Sequence, residues 1–286
     1  MKLFAVALSV LFAAGAQSKD PADLENSYQN LKKAVNDKDA AQVKKLAAET
    51  SAAARAIVAS PAPQGDTEKE TWTKDVEYAK EIDAYTENAL YTVAVEAKPE
   101  EAIELFALLE QQNPKSKYLE DGYGYYLGCL YKAGQSAKIP GIVAKALANF
   151  PNNDELLSVA AENAIAARRY DQAIAYGDRL AAAGSKHGKP AAIGEGHYVA
   201  GIGHFFKNQF PPADRDLRAA LPSLSGDQKG CALFYLAVSN FQLGKATMNK
   251  GLMQQGANYA SQSADVKSPC QQQAYQQAIG MKAAAK

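Results

Sequence analysis

The sequence predicts an all-α fold, and three observations support that prediction. Ala, Leu, Lys, Glu and Gln, which are good helix formers, fill most segments. Apolar residues recur at intervals of three and four, as along Leu24, Tyr28, Leu31 and Val35. No run of Val, Ile, Thr and aromatic residues alternates with polar residues between turn signals, so no segment is typical of a β-strand.

Gly and Pro residues cut the chain into segments of helical length. The breaks include Pro61–Gly65, Gly134, Gly184, Pro211-Pro212 and Gly244. The predicted helices cover residues 21–36, 39–59, 67–97, 99–112, 119–133, 137–149, 153–168, 170–183, 191–208, 212–222, 228–243, 247–264 and 269–283.

The first sixteen residues have the pattern of a secretory signal peptide. Lys2 precedes the apolar run Leu3–Ala14, and Ala14-Gly15-Ala16 gives the small residues of a cleavage site. The run is too short to cross a hydrocarbon core of about 30 Å as a helix. We therefore expect cleavage near Ala16 and a mature chain that is periplasmic or secreted. The sequence has no Asn-x-Ser/Thr acceptor, which favours the periplasm.

Composition narrows the class of protein further. The chain is 47% hydrophobic and 22% charged, which excludes a disordered chain, a collagen-like fibre and a multi-span membrane protein. With 31 basic and 31 acidic residues, it has no excess of positive charge for binding nucleic acid. Residues 17–114 hold 11 basic and 19 acidic residues, whereas residues 115–286 hold 19 and 12. We interpret this as solvated helix faces, with surfaces for different partners as the alternative.

The predicted helices pair into a repeat. Its best example combines small and large residues on two successive helices, at His197, Ala200, Gly201 and His204 and then Ala213, Leu217 and Ala220. This pattern resembles the tetratricopeptide repeat (TPR), whose period is about 34 residues. The corresponding second-helix positions Ile139 and Ala173 are 34 residues apart, whereas Ala102 and Ile139 are 37 apart and Ala173 and Ala213 are 40 apart, which we interpret as loop insertions. The resemblance implies a right-handed α-solenoid of stacked helix pairs over residues 67–286, preceded at 17–60 by a helix pair or cap.

The resemblance also implies a binding surface. In a tetratricopeptide array the first helix of each pair lines a concave groove, so the chain is expected to be a scaffold for a protein or peptide partner. Seven apolar and aromatic residues on these first helices are the predicted partner contacts: Tyr125, Tyr198, Ile202, Phe205, Phe234, Val238 and Phe241. The alternative, in which the same residues pack between adjacent helix pairs, is equally open.

No motif in the sequence predicts catalysis, a cofactor or a metal site. His197 and His204 are seven residues apart, and we expect them to pack between helices because helical zinc ligands more often use a spacing of four. The Gly-rich stretch Gly122–Gly128 does not follow a predicted strand, which a phosphate cradle needs. An all-α enzyme that acts on the cell wall and a binder of a small solute are the alternative functions.

The three cysteines have different predicted states. Cys129 lies in mid-helix among aromatic residues and is expected to be a buried thiol. Cys231 and Cys270 lie near the starts of first-type helices in successive units, and export makes oxidation possible. They are the disulfide candidates, and the alternative is two thiols that never meet.

Overall fold

The computed structural model describes residues 20–285, which contain thirteen α-helices, two short 3-10 helices and no β-strand. The all-α prediction is confirmed for this range, and each predicted helical segment corresponds to one of the thirteen helices. In residues 20–285 no helix is both long enough and apolar enough to cross a membrane. The predicted signal peptide, residues 1–16, lies outside the described residues.

The chain divides into two compact units between Gly134 and Gln135. The first unit contains α1 (Pro21–Asn36), α2 (Ala40–Val58), α3 (Asp66–Ala94), α4 (Pro99–Gln112) and α5 (Lys117–Lys132). Each helix packs against the next, and α1 with α3, α2 with α4 and α3 with α5 are also in contact. The residues predicted as an N-terminal pair, α1 and α2, therefore share their core with α3.

The second unit is a series of packed helix pairs. It contains α6 (Ile139–Asn149), α7 (Asp154–Ala166), α8 (Tyr170–His187), α9 (Pro190–Phe206), α10 (Phe210–Ala220), α11 (Gly226–Ala246), α12 (Lys250–Ala264) and α13 (Gln271–Ala284). Each of these helices packs against the next, and the alternate helices α7, α9, α11 and α13 also contact one another in that order. The 3-10 helices are Ser136–Lys138 and Leu221–Ser223.

The same turn joins the two helices of several pairs. Lys38, Arg168, Asn208 and Met248 have φ between 54° and 57°, in the left-handed region that non-glycine residues rarely adopt. In each turn the following amide donates to a carbonyl five residues back, for example from Arg169 to the Ala164 oxygen at 2.8 Å. This bond ends the first helix as a Schellman motif. Arg168, Asn208 and Met248 follow one another at intervals of 40 residues, and Gly188 ends α8 before α9 in the same way.

Glycines let α9 approach both of its neighbours. A Cβ built on Gly196 would lie 2.5 Å from the Gly177 carbonyl oxygen and 2.5 Å from the Ala181 nitrogen, both backbone atoms of α8. A Cβ on Gly201 would lie 2.7 Å from Cγ of Leu217 on α10. Because these contacts leave no room for a methyl group, the glycines set how closely the helices pack.

A disulfide joins α11 to the residue that precedes α13. Cys231 and Cys270 are bonded, with their Cα atoms 5.2 Å apart. Nearby, the Ser263 hydroxyl donates to the Gly230 carbonyl at 2.7 Å, which holds the end of α12 at the same place. Cys129 is a buried free thiol in the first unit, and burial raises its pKa.

Candidate binding groove

A cavity of about 680 Å³ opens between α7, α9 and α11 in the second unit. We call it the α9 groove, and it is defined by Glu162, Tyr170, Glu195, Tyr198, Ile202, Phe206 and Tyr235. The helix α9 supplies four of these residues at spacings of three or four, so that they share one face of that helix. The remaining residues come from α7, the start of α8, and α11.

Aromatic rings form much of the groove wall. The rings of Tyr170 and Phe206 stack with their centroids 5.0 Å apart, and Phe206 also lies 5.8 Å from Tyr235. Phe206 remains 45% exposed, which is high for a ring of this size inside a cluster. Burial raises the pKa of Tyr198 and of Tyr235, so both hydroxyls stay protonated at neutral pH. These rings thus form an aromatic, uncharged part of the wall, and Phe206 is open to a ligand.

Two carboxylates, Glu162 on α7 and Glu195 on α9, also line the groove. The side chain of Glu162 is exposed, yet partial desolvation raises its pKa and the negative charge on Glu195 raises it further. The Ser158 hydroxyl donates a hydrogen bond to Glu195, whereas within residues 20–285 no hydrogen bond or ion pair holds the Glu162 carboxylate. Arg168 is the one basic residue among the described residues that line the cavity.

A second cavity, of about 640 Å³, adjoins the α9 groove. The two cavities have Glu195 in common, and the second is lined further by Asp154, Glu155, Lys189 and Pro190. The Lys189 ammonium donates to the Asp154 carboxylate at 2.7 Å. Glu195 therefore belongs to the lining of both recesses, which α7 and α9 help to form.

The groove includes two of the seven predicted partner contacts. Tyr198 and Ile202 both line it. Phe205 lies beside it in the same ring cluster, with its centroid 4.7 Å from that of Tyr235, and Phe234 lies 5.6 Å from Tyr235. Both rings are half-buried. Phe205 and Phe234 therefore pack against Tyr235, which lines the groove, and do not line it themselves.

The other three predicted contacts lie elsewhere. Val238 and Phe241 are half-buried and pack against the alanine-rich core that α11 forms with α12 and α13. Tyr125 is in the first unit, 40% exposed, with its ring 6.3 Å from that of Phe106. Their contact with a partner stays a prediction.

The two α9 histidines flank a buried carboxylate of α10. Asp216 is 2% exposed, with His197 Nδ1 3.4 Å from Oδ1 and His204 Nε2 3.7 Å from Oδ2. Arg215 donates to both carboxylate oxygens. Across residues 20–285 no group of three or more His, Cys, Asp and Glu side chains could hold a metal ion.

No family model, curated protein or solved structure matches this chain. A function must therefore be inferred from the chemistry of the groove. The features that bear on it are the aromatic wall, the two carboxylates and the continuation into the second cavity.

Proposed function

We propose that this protein is an exported scaffold of the tetratricopeptide type, a right-handed solenoid that binds a protein or peptide partner in the α9 groove without catalysis. The observation that carries the proposal is that three alternate helices, α7, α9 and α11, together line one open aromatic cavity. A partner-binding groove on first-type helices has this arrangement. Exposed rings such as Phe206 are typical anchors for a partner.

The repeat geometry supports the family proposal. The left-handed turn residue recurs between paired helices at Arg168, Asn208 and Met248, and Gly134 takes a φ of 68° in an earlier turn of the chain. These turns recur every 40 residues, so each helix pair here is about six residues longer than the 34-residue repeat of the resemblance. A fixed turn at one interval is what a chain of equivalent helix pairs requires.

Export is supported by the disulfide as well as by the N-terminal pattern. A disulfide between Cys231 and Cys270 persists in an oxidising compartment and is rare in a reducing cytosol. The predicted periplasmic or extracellular location places the groove among exported partners.

The continuation of the groove favours a peptide over a small solute. The two cavities, of about 680 and 640 Å³, have Glu195 in common, so an extended chain that crosses Glu195 can contact both. A small solute is usually buried over most of its surface within one pocket, whereas a peptide can extend over two.

A cell-wall-acting enzyme is a second candidate, favoured by one observation. Glu162 lies in the groove with a raised pKa, which is the property of a general acid in glycoside hydrolysis. Incubation of the purified chain with isolated peptidoglycan separates the two functions. Release of soluble fragments that Glu162→Gln abolishes would establish the enzyme, and intact peptidoglycan supports the binding scaffold.

A photo-crosslinking amino acid tests partner binding directly. It is placed at Phe206 on the groove wall or, as the matched control, at Tyr275, which is 63% exposed on α13 and does not line the groove. The full-length chain is produced in its own host and irradiated in intact cells. We expect a discrete crosslinked partner from position 206 and none from position 275.

A charge placed inside the groove completes this test. Ile202→Glu should remove the crosslinked product at position 206, because it buries a carboxylate where a ligand would lie. A melting curve confirms that this variant is folded. The proposal is overturned if positions 206 and 275 give the same products, or if a folded Ile202→Glu variant crosslinks as before.

A further inference from the structure

We propose that the α9 groove selects a peptide that carries a lysine, whose ammonium group lies between Glu162 and Glu195 while its methylenes contact the aromatic wall. This inference rests on the proposed function, because it assigns a side-chain preference to the same peptide-binding groove. It names the chemistry of the partner, which the repeat resemblance leaves open.

The charge of the groove is opposite to that of the chain around it. Residues 115–286 hold 19 basic and 12 acidic residues, yet the groove is lined by two acidic residues and one basic residue, Arg168. The lining therefore carries one net negative charge, which favours a cation over an anion. The local reversal is therefore a property of the groove residues and not of the bulk charge.

The Glu162 carboxylate lacks a partner that a bound cation would supply. Its side chain is exposed to solvent, and partial desolvation together with the negative charge of Glu195 raises its pKa. No hydrogen bond or ion pair within residues 20–285 offsets them. An ammonium group between the two carboxylates would remove their mutual repulsion and stabilise both charges. A compact ammonium can be shared by two carboxylates, whereas a planar guanidinium pairs best with one.

The ring cluster suits the rest of a lysine side chain. Tyr170, Tyr198, Phe206 and Tyr235 line the groove beside the carboxylates. Aromatic rings attract a cation through their quadrupole and also pack against methylene groups. The groove thus has an apolar surface for the stem and negative charge for the head.

The adjoining cavity accommodates the flanking peptide. It begins at Glu195, and Glu155 adds a further carboxylate to its lining. Lys189 is paired with Asp154 there, so its charge is already neutralised. A peptide that places a lysine at Glu195 can therefore continue into this cavity without meeting an uncompensated cation.

Three peptide pools test the preference. Each contains nonapeptides that are random over uncharged residues at eight positions, with lysine, Nε-acetyl-lysine or glutamate fixed at the centre. The pools are passed over the immobilised mature chain, and mass spectrometry measures retention. We expect the lysine pool to be retained about tenfold more than the acetyl-lysine pool, as a cation–π contact together with an ion pair allows. The glutamate pool should be retained least.

Matched variants tie the preference to the groove. Glu162→Gln and Glu195→Gln should each reduce the lysine preference severalfold, since each removes one charge with little change of shape. Asp265→Asn, on an exposed acid after the end of α12, should leave the preference unchanged. Tyr235→Ala should reduce retention of the lysine and acetyl-lysine pools together, because it removes the wall that both side chains contact.

The outcomes separate this inference from the proposed function. Equal retention of the lysine and acetyl-lysine pools, lost in Tyr235→Ala, overturns the lysine preference and still supports a peptide groove. Retention of no pool above a blank column overturns both. A lysine preference that survives in both glutamine variants places the cation elsewhere and overturns the assignment to Glu162 and Glu195.

Discussion

Replacing Gly196 with alanine should push α9 away from α8 and destabilise the second unit. The new Cβ would lie 2.5 Å from backbone atoms of Gly177 and Ala181. An ordinary contact at such a position is at least 3.4 Å, so the helices must separate by roughly 1 Å. Backbone cannot rotate aside as a side chain can, and overpacking of this kind costs about 1–3 kcal/mol.

A second glycine provides the control. Gly280 lies inside α13, and nothing lies within 4 Å of a Cβ built on it. Gly280→Ala should therefore stabilise the chain by about 1 kcal/mol through helix propensity alone. Gly196→Ala gains the same propensity, so the difference in unfolding free energy between the two variants measures the steric cost.

Urea unfolding followed by circular dichroism gives that difference. We expect Gly196→Ala to be less stable than Gly280→Ala by about 1–3 kcal/mol, which is a difference in melting temperature of roughly 2–12 °C for a unit of this size. If the two variants are equally stable, α8 and α9 are not in backbone contact at Gly196, and the reasoning from the glycine positions is wrong.

Three further predictions concern covalent, polar and titrating groups. Unfolded, unreduced protein should show one reactive thiol, that of Cys129, and reduction of the Cys231–Cys270 bond should raise the number to three. Reduction should also lower the free energy of unfolding by about 4 kcal/mol through loop entropy. Three reactive thiols before reduction would refute the disulfide. Arg218→Met should cost about 2–3 kcal/mol in urea unfolding, because it strips a charged donor from three side-chain partners, and an unchanged midpoint would contradict this. Glu162→Gln should stabilise the chain at neutral pH. The raised pKa of Glu162 means that the folded state binds the proton more tightly than the unfolded state, so the folded state loses stability as the pH rises from 4.5, the ordinary glutamate value. The gain in stability from the substitution should vanish below that pH, and a gain that does not depend on pH would refute the electrostatic cause.

Local signals predict the helices but misjudge several of their ends. The sequence predicts breaks at Gly184 and Gly244, yet α8 runs to His187 and α11 to Ala246. A Cβ on Gly184 would lie 2.9 Å from the Ile193 backbone nitrogen of α9, so this glycine serves a helix contact and not a helix end. A glycine in the sequence alone does not show whether it ends a helix or lets two helices approach closely.

The groove is harder to predict because a helix turns by about 100° per residue. On α11 the predicted contacts are Phe234, Val238 and Phe241, none of which lines the cavity. Tyr235, the neighbour of Phe234, lines it together with Gln228, seven residues earlier on the same face. On α9 the prediction selects two groove residues but misses Glu195 and Phe206. They lie three residues before Tyr198 and four residues after Ile202, so the helical spacing relates all four positions.

The groove residues from other helices carry no such signal. Glu162 and Tyr170 belong to α7 and α8, and they reach the groove only through the packing of those helices on α9. No spacing in the sequence relates them to Glu195. Only the tertiary contacts show that these two residues lie beside Glu195.

The recurring turn makes the second unit modular at defined junctions. Arg168, Asn208 and Met248 share one backbone conformation at equal intervals, and each precedes the second helix of a pair. A duplicate of residues 169–208 inserted after Asn208 would start and finish on matching dihedral angles, and it would add one copy of α8 and one of α9. Both new junctions would retain a left-handed residue that stops one helix and starts the next. The series of helix pairs can thus lengthen or shorten by one 40-residue unit at a time, with the same turn at each junction. Each added unit brings one more copy of the α9 helix, whose face lines the groove.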